Sequence, residues 1–198
     1  VQPGHYVPAC LEAMAQEKAE IDAIVNNPEE PTFENTIVAY DNTGKLLSRI
    51  SSVFSSASGV NSNDEIREIA KELSPLRSAH SSEIALNDGL FKRVKAVYEK
   101  RDSLGLRADQ MRLLTEMYKD FERAGANLPA DKKEELKKVN AELSALQLTS
   151  GQNILKETAA YTLVVEKEED LAGLTPDQIA EAASRAEKAG QSGKWFFG

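Results

Sequence analysis

The chain has 198 residues, 41% of them hydrophobic and 28% charged, a balance that suits amphipathic helices around a modest core better than a compact sheet protein. Acidic residues outnumber basic ones 32 to 24, for a net charge of -8, so the average surface repels phosphate backbones and anionic lipid head groups. No apolar run approaches the roughly 18 residues that span a bilayer, and neither nucleic acid nor a membrane is expected as a partner.

Cys10 is the only cysteine, which excludes an internal disulfide and leaves cytoplasm and periplasm both open. Val1 stands where an initiator Met would be and reads as a cut or processed start.

Val7, Leu11, Met14, Ile21 and Val25 recur at steps of three and four, the spacing of one apolar stripe on a helix. Asn26-Asn27-Pro28 ends it, because proline biases the preceding residue away from helix. Thr32 is placed to cap a second helix carrying Ile37, Tyr40, Leu47, Ile50 and Phe54. Gly44 interrupts that helix at about 1 kcal/mol relative to Ala, so a close helix contact is expected there.

Ser62 and Glu65 have capping-box spacing ahead of a third helix with Ile66, Ile69, Leu73, Leu76 and Ile84. Pro75 predicts a kink or short break near Ser74. Asn87-Asp88-Gly89 reads as a turn. A fourth helix carries Phe91, Val94, Val97 and Leu104, and a fifth carries Met111, Leu114, Met117 and Phe121. Gly125 is placed to stop the fifth as a left-handed cap.

Pro129 fits the first turn of a long sixth helix, whose stripe runs Leu136, Val139, Leu143, Leu146, Ile154 and Leu155, with Gly151 as a weak point. Tyr161 to Glu166 is β-branched and extended, the pattern of a strand. Thr175-Pro176-Asp177-Gln178 forms a second capping box and opens an Ala-rich seventh helix that ends near Gly190. Lys194 to Phe197 predicts a second strand, and the abrupt stop at Gly198 reads as a cut. Trp195, Phe196 and Phe197 are then expected to be exposed or to pair with another copy through an open edge. The fold expected is mainly α. Residues 1–158 form an antiparallel multi-helix bundle, and residues 159–198 a small carboxy-terminal strand-helix-strand element.

Chemistry-bearing residues are sparse. His5 and His80 are the only histidines, and no H-E-x-x-H stretch supplies zinc ligands. His80 and Glu83 share a helix face, but His80 continues the register of Ile66 and Leu73 and reads as a partly buried structural residue. His5 reads as a helix-start or packing residue, and Cys10 as a small buried hydrophobe. Ser51, Ser52, Ser55 and Ser56 lack a nucleophile-elbow setting. Asn61 to Asp64 starts like a calcium loop without its glycine or terminal Glu. Lys132, Lys133, Lys137 and Lys138 alternate with Glu134 and Glu135 and read as a solvated face. No catalytic, cofactor-binding or metal-ligating residue is expected within the 198 residues.

Three runs carry a resemblance: His5-Tyr6-Val7-Pro8-Ala9, Glu20 to Ile24, and above all Pro31-Thr32-Phe33-Glu34-Asn35-Thr36-Ile37. With Leu90 to Val94, Leu128-Pro129, Gln152 to Ile154 and Asp170 to Leu174, they follow a single order along the whole chain. In these runs the chain resembles the amino-terminal region of the thimet-oligopeptidase family of zinc metallopeptidases, chiefly its bacterial peptidyl-dipeptidase and oligopeptidase A branches. Cys10 departs from the aromatic residue usual in that family. The resemblance implies a parent enzyme that hydrolyses oligopeptides with one zinc ion and places none of its ligands in this sequence: the H-E-x-x-H motif and a further Glu would lie beyond Gly198, in the carboxy-terminal catalytic half. It also implies that these helices form one wall of a substrate channel and are inactive alone. A free-standing helical interaction module is the alternative reading, and a lipid-binding bundle is disfavoured by the acidic balance.

Overall fold

The helical periodicities materialise in a computed structural model that describes residues 2–60 and 63–197. Seven long helices dominate it: α1 (Tyr6–Val25), α2 (Lys45–Val60), α3 (Asp64–Ala85), α4 (Asp88–Glu99), α5 (Ala108–Arg123), α6 (Ala130–Ala160) and α7 (Pro176–Lys188). Strands β1 (Leu163–Val165) and β2 (Trp195–Phe197) complete a mainly α architecture that is 77% helical. The chain forms two compact units, Val1–Leu146 and Gln147–Gly198.

In the first unit, α1 buries Tyr6, Cys10, Ala13, Met14, Ile21 and Ile24. This arc lies one residue round from the stripe expected from sequence, and Leu11 is exposed. The helix serves two apolar clusters. Its first half joins Tyr6 and Cys10 to Phe54, Ile66, Ile69 and Leu73, with the Tyr6 and Phe54 rings edge to face at 5.0 Å. Its second half joins Ile21 and Ile24 to Phe33, Ile37, Leu90, Val94, Val97 and Leu114.

The second predicted helix is split. Thr32 caps as expected, its hydroxyl accepting from Asn35 N at 3.0 Å, but residues Phe33–Val38 wind as a π-helix. A turn closing at Gly44, φ +66°, separates them from α2. The left-handed backbone that glycine tolerates thus redirects the chain where a continuous helix was predicted.

Asn63 caps α3, accepting from Ile66 N at 2.9 Å; Ser62, expected to cap this helix with Glu65, lies outside the described residues. The helix runs from Asp64 through Pro75 to Ala85, so of the kink or short break expected near Ser74 the break does not occur. Hydrogen bonds flanking the proline tie this stretch to α6: Ser74 Oγ meets Ser144 Oγ at 3.0 Å, and Ser78 Oγ donates to Asn140 O at 3.3 Å.

Asn87 caps α4 by accepting from Leu90 N, so Asp88 and Gly89 already belong to the helix and not to a turn. Leu104 falls beyond α4 and is exposed. Gly125, φ +90°, ends α5. Gly125 N donates to Glu122 O and Ala126 N to Phe121 O, the paired bonds of a Schellman cap. Pro129 stands just before α6 and its carbonyl accepts from Lys133 N.

In the second unit, β1 and β2 pair antiparallel with Leu163 opposite Phe197, Val164 opposite Phe196 and Val165 opposite Trp195. Thr175 and Gln178 cap α7 reciprocally, and α7 buries Ala182 and Ala186. Trp195, Phe196 and Phe197 are half-buried beside α7 and are less exposed than the sequence suggested.

Candidate functional site

Three polar junctions in the first unit each tie one chain element to another through a buried or half-buried ionisable side chain. On α1, Glu17 falls between the residues that serve the two apolar clusters, and on α3 His80 occupies the same level. Glu17 Oε2 lies 2.8 Å from His80 Nε2, with the two side chains 16% and 11% exposed. A Cβ added at Gly44 would sit 2.6 Å from Glu17 Cδ, and Gly44 N donates to Glu20 Oε2 at 2.9 Å. The close approach expected at Gly44 is therefore real, and it is made to a carboxylate of α1. Glu83, the partner that sequence spacing offered to His80, instead pairs with Lys18.

Arg93 forms the second junction. It is 8% exposed on α4, and its guanidinium donates to Asn27 O at 2.9 Å, Glu29 O at 3.2 Å and Asn35 Oδ1 at 3.2 Å. Asn35 Oδ1 also accepts from Thr32 N. One side chain thus fixes the loop from Asn27 to Asn35, which has few apolar residues of its own to bury.

Lys133 forms the third. It is 5% exposed and donates to Leu86 O, at the end of α3, and to Asp88 Oδ1, in the first turn of α4. A cation at one helix carboxyl end and an anion at the next amino end both suit the helix dipoles. Lys133 corrects the reading of this basic run as a solvated face; Lys132 and Lys137 do pair at the surface with Glu135 and Glu134. The Lys133 ammonium holds the Asp88 carboxyl below the ordinary carboxylate range.

The remaining reactive groups are quiet. Cys10 is buried, and burial raises its thiol above the ordinary value, which lowers the fraction of nucleophilic thiolate. Ser52 and Ser56 hydroxyls donate to carbonyls one turn back in α2. Tyr118 donates to Glu122 Oε1 at 2.8 Å, and that bond, with burial, pushes its phenol up to about 12. Its ring stacks on Tyr98 at 4.0 Å, and the Arg101 guanidinium lies 4.2 Å from the Tyr98 ring centroid.

Among the described residues, no group of three His, Cys, Asp or Glu side chains is arranged to hold a metal ion. The zinc implied by the resemblance does not fit the donors described here. None of the described helices is long and apolar enough to cross a membrane. The second unit has an open groove of about 240 Å³ whose floor includes Leu174, Phe196 and Phe197, with Glu181 and Arg185 paired beside it.

The sequence reading does not single out Glu17 or Arg93, and it takes Lys133 only as part of a solvated face. Glu17 had a signal: it continues the three-and-four spacing of Cys10, Ala13, Ile21 and Ile24 as a charged residue on a buried arc. Arg93 likewise lies three residues after Leu90 and four before Val97.

No family model matches the chain. It is 39% identical over 193 residues to the dipeptidyl carboxypeptidases of Salmonella typhimurium and Escherichia coli, a match covering 98% of this chain and 28% of each relative. Oligopeptidase A of Escherichia coli is 27% identical over 187 residues, covering 94% of this chain and 28% of that protein. The chain matches the amino-terminal region of these thimet-oligopeptidase-family peptidases and spans less than a third of their length.

Proposed function

We propose that this chain acts as the amino-terminal helical domain of a zinc metallopeptidase that hydrolyses oligopeptides and releases carboxy-terminal dipeptides. The observation that carries the proposal is the 39% identity to dipeptidyl carboxypeptidases over 98% of the chain. The geometry supports a scaffold role: Glu17, His80, Arg93 and Lys133 each join one chain element to another. In this reading the helices form one wall of the channel that admits oligopeptides. Zinc, which would supply the hydrolytic chemistry, is held by a catalytic part outside these 198 residues.

Alone, the chain is expected to be inactive. The test is to incubate it with a synthetic oligopeptide and added zinc, with and without chelator. No cleavage is the outcome expected, and chelator-sensitive cleavage would overturn the reading. A free-standing interaction module is the second reading, favoured by the exposed apolar residues of α6. An H-E-x-x-H motif encoded beyond position 198 would rule it out.

A further inference from the structure

Helix α6 meets its neighbour through its polar side. Lys133, Asn140 and Ser144 face α3, where they reach Leu86 O, Ser82 Oγ and Ser74 Oγ. These pairings run in opposite order along the two helices, so α6 lies antiparallel to α3. The apolar residues expected to form the core stripe point elsewhere. Val139, Leu143 and Leu146 are 57%, 50% and 60% exposed. At 3.6 residues per turn they cluster about 110° round the helix from the hydrogen-bonded side. Leu136, between the two faces, is half-buried and packs near Gly125.

A helix that spends hydrogen bonds on its own unit and leaves an apolar stripe outside has a second surface to satisfy. We propose that Val139, Leu143 and Leu146 form a docking surface for the catalytic part of the peptidase, the polypeptide that lies beyond the matched region in the longer relatives. This inference rests on the functional reading above. The matched region accounts for 28% of those relatives, so most of such a protein is available to cover the stripe.

Two observations disfavour a second copy of this chain as the occupant. Three half-exposed side chains fall well short of the roughly 800 Å² per partner that a stable dimer buries, and each copy carries a net charge of -8. A covalently linked partner needs far less area, because linkage raises its effective concentration to the millimolar range.

The test is thiol protection, read by peptide-resolved mass spectrometry after maleimide labelling. Leu143→Cys is made in the 198-residue chain and in the same chain substituted for the matched region of the Escherichia coli dipeptidyl carboxypeptidase. Leu146→Cys serves as a second stripe position, and Lys138→Cys as an exposed position off the stripe. Native Cys10 is buried and provides the unreactive background. Labelling at both stripe positions is expected to slow at least tenfold in the longer protein, while Lys138→Cys stays reactive.

Equal labelling of the stripe thiols in the two proteins would overturn the proposal. So would protection in the isolated chain that grows with its concentration, the sign of a second copy. Peptide hydrolysis by the longer protein separates the two claims. Unprotected thiols in an active protein refute the docking surface alone, and protected thiols in an inactive protein refute the functional reading alone.

Discussion

Replacing Gly44 with alanine probes the junction between α1, α3 and the turn before α2. The backbone there has φ +66°, and a left-handed conformation costs a non-glycine residue roughly 1–2 kcal/mol. The new Cβ would also lie 2.6 Å from Glu17 Cδ. A free carboxylate would swing aside at little cost, but this one is bonded to His80 Nε2 at 2.8 Å. Breaking that bond and leaving largely buried partners unsatisfied adds about 1–3 kcal/mol, for a total of about 2–5 kcal/mol. Urea unfolding followed by circular dichroism measures the loss. At a slope of roughly 2 kcal/mol/M, the midpoint should fall by about 1–2.5 M. In a Glu17→Ala background only the backbone penalty remains, so the double-mutant cycle should show a coupling of about 1–3 kcal/mol. Equal costs for Gly44→Ala in both backgrounds, or a cost below about 0.5 kcal/mol, would refute the reasoning.

Arg93→Ala removes three hydrogen bonds that hold the Asn27–Asn35 loop. It is expected to destabilise by about 2–4 kcal/mol and to speed proteolysis within that loop. Leu90→Ala, at a fully buried position in the larger cluster, should cost about 2–5 kcal/mol; Leu143→Ala in the same chain should stay within about 0.5 kcal/mol. Asp88 has its carboxyl depressed by Lys133, so its contribution to stability is present above the unfolded value of about 4 and is lost as pH falls through the folded value. Lys133→Met removes the cause, and its stability should vary less than the parent's between about pH 5 and pH 2; identical pH profiles would count against the pair.

Much of the fold was readable because strong local signals agreed with packing. Thr32, Gly125 and the Thr175–Gln178 pair act where their side-chain and backbone chemistry places them. The departures come from tertiary contacts. The α1 arc is set by burial against α2, α3 and α4, which favours Cys10 over Leu11, and nothing in the spacing alone distinguishes those adjacent registers. The α6 stripe has a sound helical period, but periodicity cannot say whether an apolar face is covered by this chain or by something else. The polar junctions were harder still, since Glu17, Arg93 and Lys133 are common surface residues whose burial depends on partners distant in sequence.

The central claim is that these helices serve a peptidase whose chemistry lies elsewhere. Its most direct measurement is dipeptide release by the Escherichia coli dipeptidyl carboxypeptidase carrying this chain in place of its matched region. The 198-residue chain alone is the comparison. The account predicts release of carboxy-terminal dipeptides by the longer protein and none by the chain alone. A folded longer protein without activity, or cleavage by the chain alone, would contradict it.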